Sequence, residues 1–305
     1  VTLVVTVPTA ELATRLEPLP ADVEVLVWPM QSPPPRDRID IVVPPYLHMG
    51  DALTYLKGAE IGLVQGQMIG YDGVAAQLPA GIPFANAATV HEASTAELAV
   101  GLILAVQRRL DRFALAGERG AWAPEYAESL ADRRVLLLGY GGVGTAIAAR
   151  LAPFEVDLVP VASRARDEDG VHIHGIDELP TLLPDAEIVV LTLPGTAATR
   201  HLIGDDELAA LPDGALVVNV GRGTLIDTDA LVRHVTAGRI RAALDVTDPE
   251  PLPEEHPLWG RPGVLISPHV GGASSAMDPR MAALIHRQIA HLLAGEPPEN
   301  VVIGG

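Results

Sequence analysis

Three short stretches of the chain each place polar side chains just beyond an apolar run. VVNVGRGTLID carries Asn219 and Arg222, AALDVTDPEPL carries Asp245 and Glu250, and LISPHVGGASS carries His269. A guanidinium is a fixed cationic fork that binds a carboxylate or polarises a ketone oxygen. An imidazole beside a carboxylate is held protonated and can pass that proton to an oxygen as negative charge develops there. Together, Arg222, Glu250 and His269 suit the reduction of a carbonyl. Singly, each has a plainer reading: Arg222 as a surface ion pair, Glu250 as one acid among several in a solvated loop, His269 as a satisfied turn residue. Their recurrence at successive strand ends favours the joint reading, because doubly wound sheets bind ligands outside the carboxyl ends of their strands.

Carbonyl reduction needs a hydride carrier, and LLLGYGGVG supplies a candidate cradle. Gly139 permits a tight turn out of a strand, Gly141 lets the backbone approach a pyrophosphate, and Gly144 lets the next helix pack closely. The helix start then offers free N–H groups and a positive dipole end to phosphate. An acid that holds the ribose hydroxyls of NAD should close the second strand, and the sequence there reads Ala162-Ser163-Arg164. Loss of the acid removes repulsion toward a 2′-phosphate, while Ser163 and Arg164 can bind one, with Arg166 assisting. NADP(H) is therefore expected over NAD(H), although NAD(H) use stays open. Pro160 is discordant, since it cannot donate to a sheet ladder; a bulge or an early strand end is expected there.

Two textures of chain must position these groups. Short apolar runs at 1–7, 23–28, 39–43 and 61–65 read as buried parallel strands with helices between, and QSPPPRDR reads as a loop. Ser94-Thr95-Ala96-Glu97 has capping-box spacing, which predicts a helix from there to about Arg112. Its continuous apolar content predicts burial between domains or subunits. Strands are then expected at 135–138, 156–161, 188–193, 215–220, 242–246 and 264–267, and a last helix over 279–293. This alternation implies an α/β fold with a doubly wound parallel sheet.

Composition excludes several function classes. The chain has 305 residues, 48% hydrophobic and 20% charged, enough for two globular domains. Its net charge of −18 disfavours nucleic acid and anionic membranes as partners, and no stretch approaches the ~20 apolar residues of a membrane helix. The apolar start lacks a basic flank and reads as a strand, not a signal peptide. With no cysteine, thiolate chemistry and disulfides are excluded, and a cytoplasmic location is expected. His172 and His174 in VHIHG are two potential metal ligands, but no third is seen at sensible spacing, so no metal site is assigned.

The motifs above, with LVQGQMIGYDGV, GIPFANAATVHEASTAELAVGLILA and LPGTAATRHLI, resemble the D-isomer-specific 2-hydroxyacid dehydrogenases over nearly the whole chain. The resemblance implies two doubly wound parallel-sheet domains, a Rossmann cofactor domain at 95–273 inserted in a flavodoxin-like substrate domain formed by 1–94 and 274–305. It also implies a cytoplasmic homodimer acting on a small 2-oxo or 2-hydroxy acid. By motif position, Arg222, Glu250 and His269 match the family's catalytic arginine, glutamate and proton-donating histidine. Gly142 and Val143 match pyrophosphate contacts and Asp245 the nicotinamide-side aspartate. Leu193, Pro194, Val220, Gly221 and Gly271 join the cofactor contacts. Ile69 and Gly70 match the amides that receive the substrate carboxylate, alongside Arg222 and His269. Ser163 and Arg164 resemble the pattern of NADP-using glyoxylate and hydroxypyruvate reductases. Formate dehydrogenases have glutamine in place of Glu250, phosphite dehydrogenases have lysine in place of Ile69, and QGQMIGYDG lacks a cation for phosphoglycerate. An NAD-dependent dehydrogenase of another acid and a non-catalytic dinucleotide sensor resembling C-terminal-binding corepressors are the alternatives. Glu155 stands where a turn glycine is common.

Overall fold

A computed structural model describes residues 2–304. The chain divides into two compact units, Val1–His91 with Ala273–Gly305, and Glu92–Gly272. The fold class is the expected one: each unit is built on a mainly parallel sheet with helical segments.

In the first unit, β1 (Leu3–Val7), β2 (Val23–Val27), β3 (Arg38–Val42), β4 (Glu60–Gln65) and β5 (Phe84–Ala85) lie in the order β5-β4-β3-β1-β2. These strands are all parallel. Both faces are buried. Val5, Val7 and Ile41 pack with Met281, Leu284 and Ile285 of the helix Met277–Ala294, while Ile39, Val42 and Val64 pack with Trp28, Leu53 and Phe84. Burial on two faces is why these strands read as unbroken apolar runs. One expectation needs correction: residues 28–37 contain no helix between β2 and β3. A further strand, Val301–Ile303, runs antiparallel to β5.

The second unit contains β6 (Arg134–Leu138), β7 (Asp157–Ala162), β8 (Arg166–Glu168), β9 (Val171–Gly175), β10 (Ile188–Leu191), β11 (Leu216–Asn219), β12 (Arg241–Leu244) and β13 (Val264–Ile266). Their order is β13-β12-β11-β10-β6-β7-β9-β8, and only β8, paired with β9, runs antiparallel. The chain therefore winds outward one way from β6 and, from β10, the other way. That reversal makes the gap beyond β6 and β10 the natural ligand crevice of the sheet. The β8–β9 hairpin is absent from the sequence reading.

Alternate residues of the central strands feed two cores. Leu136, Leu138, Val189 and Val217 face one way, and Val135, Leu137, Val190 and Val218 the other. The helix Glu92–Gln107 covers the second face with Ala96, Ala99, Val100 and Ile103. Its apolar content is thus accounted for by packing within its own unit. The helix begins at Glu92, with Ser94 and Thr95 buried in its first turns. At about 1.5–3 kcal/mol for each large side chain buried, this internal packing overrides the capping pattern. Arg109 then adopts φ 57°, and a separate helix, Leu110–Glu118, follows. Among the described residues, no helix is long and apolar enough to cross a membrane.

Pro160 produces no bulge: the register of β6 with β7 runs unbroken from Arg134↔Asp157 through Leu137↔Pro160 to Leu138↔Val161. The Val161 carbonyl accepts from the Gly139 N–H, so Pro160, its neighbour, turns its nitrogen away from β6. The ladder to β9 begins only at Val161. Glu155, at the end of a short helical turn, adopts φ 60°. A side chain in that left-handed region costs about 1–2 kcal/mol, against about 0.5–1 kcal/mol for glycine's extra backbone freedom. Glu155→Gly should therefore stabilise the chain by up to about 1 kcal/mol, read as a raised midpoint in thermal unfolding; a lowered midpoint would contradict this.

Candidate active site

The glycine loop lies at the switch point, directly after β6. Gly139 sits at φ +107°, and a Cβ on Gly144 would lie 2.0 Å from the Gly139 carbonyl oxygen, so the helix Gly142–Leu151 can lie against the loop only without a side chain there. No protein atom would crowd a Cβ on Gly141, no side chain caps the helix, and Gly141 and Gly142 are exposed. The first amides of a ten-residue helix, those of Gly142, Val143 and Gly144, are thus presented to an open cradle with the positive end of the helix dipole. These features fit a dinucleotide pyrophosphate. Leu193 and Pro194 follow β10, Val220 and Gly221 follow β11, Asp245 follows β12, and Gly271 stands beyond β13. All lie past the carboxyl ends of adjoining parallel strands.

Beyond β7, Ser163, Arg164 and Arg166 are exposed. Arg166 belongs to β8, where its Nε donates to Glu168 at 2.8 Å, and its Nη2 reaches the carbonyl of Tyr140 in the glycine loop at 3.5 Å. The residue assigned an assisting role from sequence is therefore the arginine that touches the glycine loop.

The polar triad is assembled by tightly pinned turns. Asn219, buried at the end of β11, donates from Nδ2 to the Arg222 carbonyl at 2.8 Å and accepts the Gly221 N–H at 3.0 Å. Arg222 itself donates to the Gly221 carbonyl at 2.7 Å. Asp245, 3% exposed, accepts from Ser267 Oγ at 2.6 Å and from the N–H groups of Val270 and Gly271 at 2.9 and 2.8 Å. The aspartate thus holds the loop on which His269 sits at φ 53°, its own N–H donating to the Asp245 carbonyl at 2.7 Å. On the facing loop, Thr228 Oγ1 donates to the Asp248 carbonyl at 2.7 Å and Thr247 Oγ1 to that of Pro249 at 2.9 Å. These anchors bring Glu250 Oε1 to 2.6 Å from His269 Nδ1.

That bond is the main reason His269 is held above the ordinary imidazole range; burial opposes it, and attraction to Glu250 and Asp245 adds to it. The same bond holds Glu250 below the usual carboxylate range, again against burial, with the Thr247 N–H helping. Arg222 acts electrostatically on both, stabilising the Glu250 anion and opposing the charge on His269. With Nδ1 engaged, Nε2 is the nitrogen left to hand a proton on. Glu250→Gln should lower the His269 pKa, since the largest cause of its rise is removed, followed by NMR titration of the imidazole; an unchanged value would contradict the Glu250 bond as its cause.

In the first unit, the loop after β4 carries Ile69 and Gly70. The Met68 carbonyl accepts from the Ala87 N–H at 2.9 Å, and the Ile69 carbonyl from Asn86 Nδ2 at 2.8 Å. Each trans peptide directs its N–H opposite to its carbonyl, so the amides of Ile69 and Gly70 point away from these anchors. His91 and Gln67 brace the same loop: His91 Nε2 lies 2.6 Å from the Gln67 carbonyl, and Gln67 Nε2 donates to Pro44 at 2.8 Å. Asn86, Gln67 and His91 thus brace this loop, and the sequence reading misses them; their only signal is polar side chains within an apolar context.

Residues 100–271 match the family described as D-isomer specific 2-hydroxyacid dehydrogenase, NAD binding domain. Glyoxylate reductase of Thermococcus gammatolerans is 30% identical over 299 residues, covering 92% of this chain and 89% of its own. Glyoxylate/hydroxypyruvate reductase B of Pectobacterium atrosepticum is 34% identical over 247 residues, 77% of this chain and 76% of its own. Among solved structures, a D-isomer specific 2-hydroxyacid dehydrogenase from Xanthobacter autotrophicus Py2, in complex with NADPH and MES, superposes with a TM-score of 0.82 at 28% identity, covering 99% of this chain and 98% of that one. The chain belongs to the D-isomer-specific 2-hydroxyacid dehydrogenase family. It is an oxidoreductase that uses a nicotinamide dinucleotide.

Proposed function

We propose that the protein reduces a small 2-oxo acid of the glyoxylate or hydroxypyruvate kind to the D-2-hydroxy acid, with NADPH preferred over NADH. The observation that carries this reading is the 2.6 Å contact of His269 with Glu250 under the influence of Arg222. A bound reduced nicotinamide supplies the hydride. Arg222 draws electron density onto the ketone oxygen and orients the substrate through its planar fork. The amides of Ile69 and Gly70 donate to the substrate carboxylate. Glu250 stabilises the imidazolium before transfer; His269 passes the Nε2 proton to the oxygen as the carbonyl carbon is reduced, and the ring left neutral keeps its other proton on Nδ1 against Glu250. Asp245 and Asn219 are positioning residues for the loops of His269 and Arg222.

Ser163 and Arg164 are the proposed readers of a 2′-phosphate, with Arg166 beside the glycine loop. Absence of an acid at Ala162 supports this choice. The names of the relatives support glyoxylate and hydroxypyruvate as substrates. A homodimer is also proposed. Its support is the apolar surface left by Leu110, Phe113, Leu115, Trp122 and Tyr126, the last two 96% and 94% exposed.

Steady-state rates with glyoxylate, hydroxypyruvate, pyruvate and phenylpyruvate, each with NADPH and NADH, test the reading. NADPH should be preferred with the first two acids. Arg164→Ala should raise the KM for NADPH by the equivalent of about 1.5–3 kcal/mol, with little effect on NADH. A clear NADH preference with every acid, or equal effects on both coenzymes, would contradict the assignment.

A further inference from the structure

The β8–β9 hairpin collects a cluster that the oxidoreductase chemistry does not use. His172 and His174 are two residues apart on β9 and so project from one face of the strand. Their rings meet edge to face with centroids 4.6 Å apart. Each Nδ1 lies 2.8 Å from a carboxylate oxygen: His172 from Asp167 Oδ1, its register partner on β8, and His174 from Glu178 Oε2. Glu178 is itself fixed, because its Oε1 accepts the Gly175 N–H at 2.7 Å. One donor atom from each of His172, His174 and Glu178 falls within 4.8 Å of the others. Glu178 is the third donor that the sequence alone did not reveal. It lies beyond the end of β9, and the turn at Gly175 brings it back to the strand face.

We propose that His172, His174 and Glu178 form a binding site for a divalent transition-metal ion of the zinc class. Two imidazoles and one carboxylate are a borderline, nitrogen-rich donor set that suits zinc, cobalt or nickel better than calcium or magnesium. A tetrahedral site with bonds of about 2.1 Å sets its donors about 3.4 Å apart, so modest rotation of half-exposed side chains closes the cluster. The ion takes the place of the proton shared by His174 Nδ1 and Glu178 Oε2. That proton moves to Nε2 of the same neutral ring, so no net ionisation is needed. His172 contributes Nε2, its Nδ1–H held by Asp167 in the manner of an outer-shell carboxylate that orients a ligating imidazole. Water completes the tetrahedron. Bound metal would tie β9 to the start of the helical segment that follows it, closing the outer edge of the second unit's sheet. This site is independent of the proposed redox function.

The test is titration of the full-length, tag-free chain with Zn²⁺ by calorimetry and with Co²⁺ by visible absorption. One equivalent should bind, with the intense ligand-field bands of tetrahedral cobalt. His174→Ala and Glu178→Gln should each weaken binding by at least about tenfold, and Asp167→Ala by about 10–100-fold. All three should unfold at the wild-type temperature when no metal is present. Absence of a bound equivalent in the wild type would overturn the proposal. So would unchanged affinity and stoichiometry in a His172→Ala/His174→Ala double variant.

Discussion

The chemistry proposed for this molecule depends on one short hydrogen bond, from His269 Nδ1 to Glu250 Oε1. It raises the proton affinity of the ring, chooses the nitrogen that faces outward, and sets the ring's orientation. None of this would hold if either loop were free to drift. The buried Asp245 carboxylate gathers the Ser267–Gly271 turn, and two threonine hydroxyls pin the loop that carries Glu250. Buried polar groups with every partner in place are costly to disturb, which is what a loop-borne donor pair requires.

The sheet imposes the next constraint. Parallel strands deliver all their carboxyl ends to one edge, so side chains that are far apart in sequence arrive together without long excursions of chain. The reversal between β6 and β10 opens that edge, and the glycine loop lies there; the following helix packs against it only because Gly144 has no Cβ, which would stand 2.0 Å from the Gly139 carbonyl oxygen. Cofactor cradle and polar triad are thus consequences of a single topological event.

How much of this is legible in sequence follows from the strength of each local signal. Strands buried on both faces announce themselves as apolar runs, and the polar residues that end them are found by inspection. Arg222, Glu250 and His269, and the pairing of the last two, are visible in this way, although the atoms that meet and the turns that hold them are not. The helix start at Glu92 is misread because a capping pattern at Ser94 is outweighed by packing that no local window contains. The β8–β9 hairpin escapes notice because RDEDGVHIHG has little apolar character; its pairing is stabilised by the edge of a sheet formed elsewhere in the chain. The supports of the Ile69 loop, Asn86 and His91, act over separations of 17 and 24 residues and leave no periodic trace. Pro160 shows the reverse error: a residue that breaks strands in general is tolerated where the neighbouring ladder has not yet begun.

The central claim is that protonated His269 delivers the proton that accompanies the hydride. Single-turnover reduction of hydroxypyruvate by NADPH, followed across the titration of His269, tests it most directly. The rate constant should be level on the acid side, where the ring is charged, and fall by about tenfold per pH unit above a single pKa lying higher than that of free imidazole. That pKa should coincide with the value for the ring itself in the enzyme–coenzyme complex. A rate that passes unchanged through the titration of His269 would contradict the account.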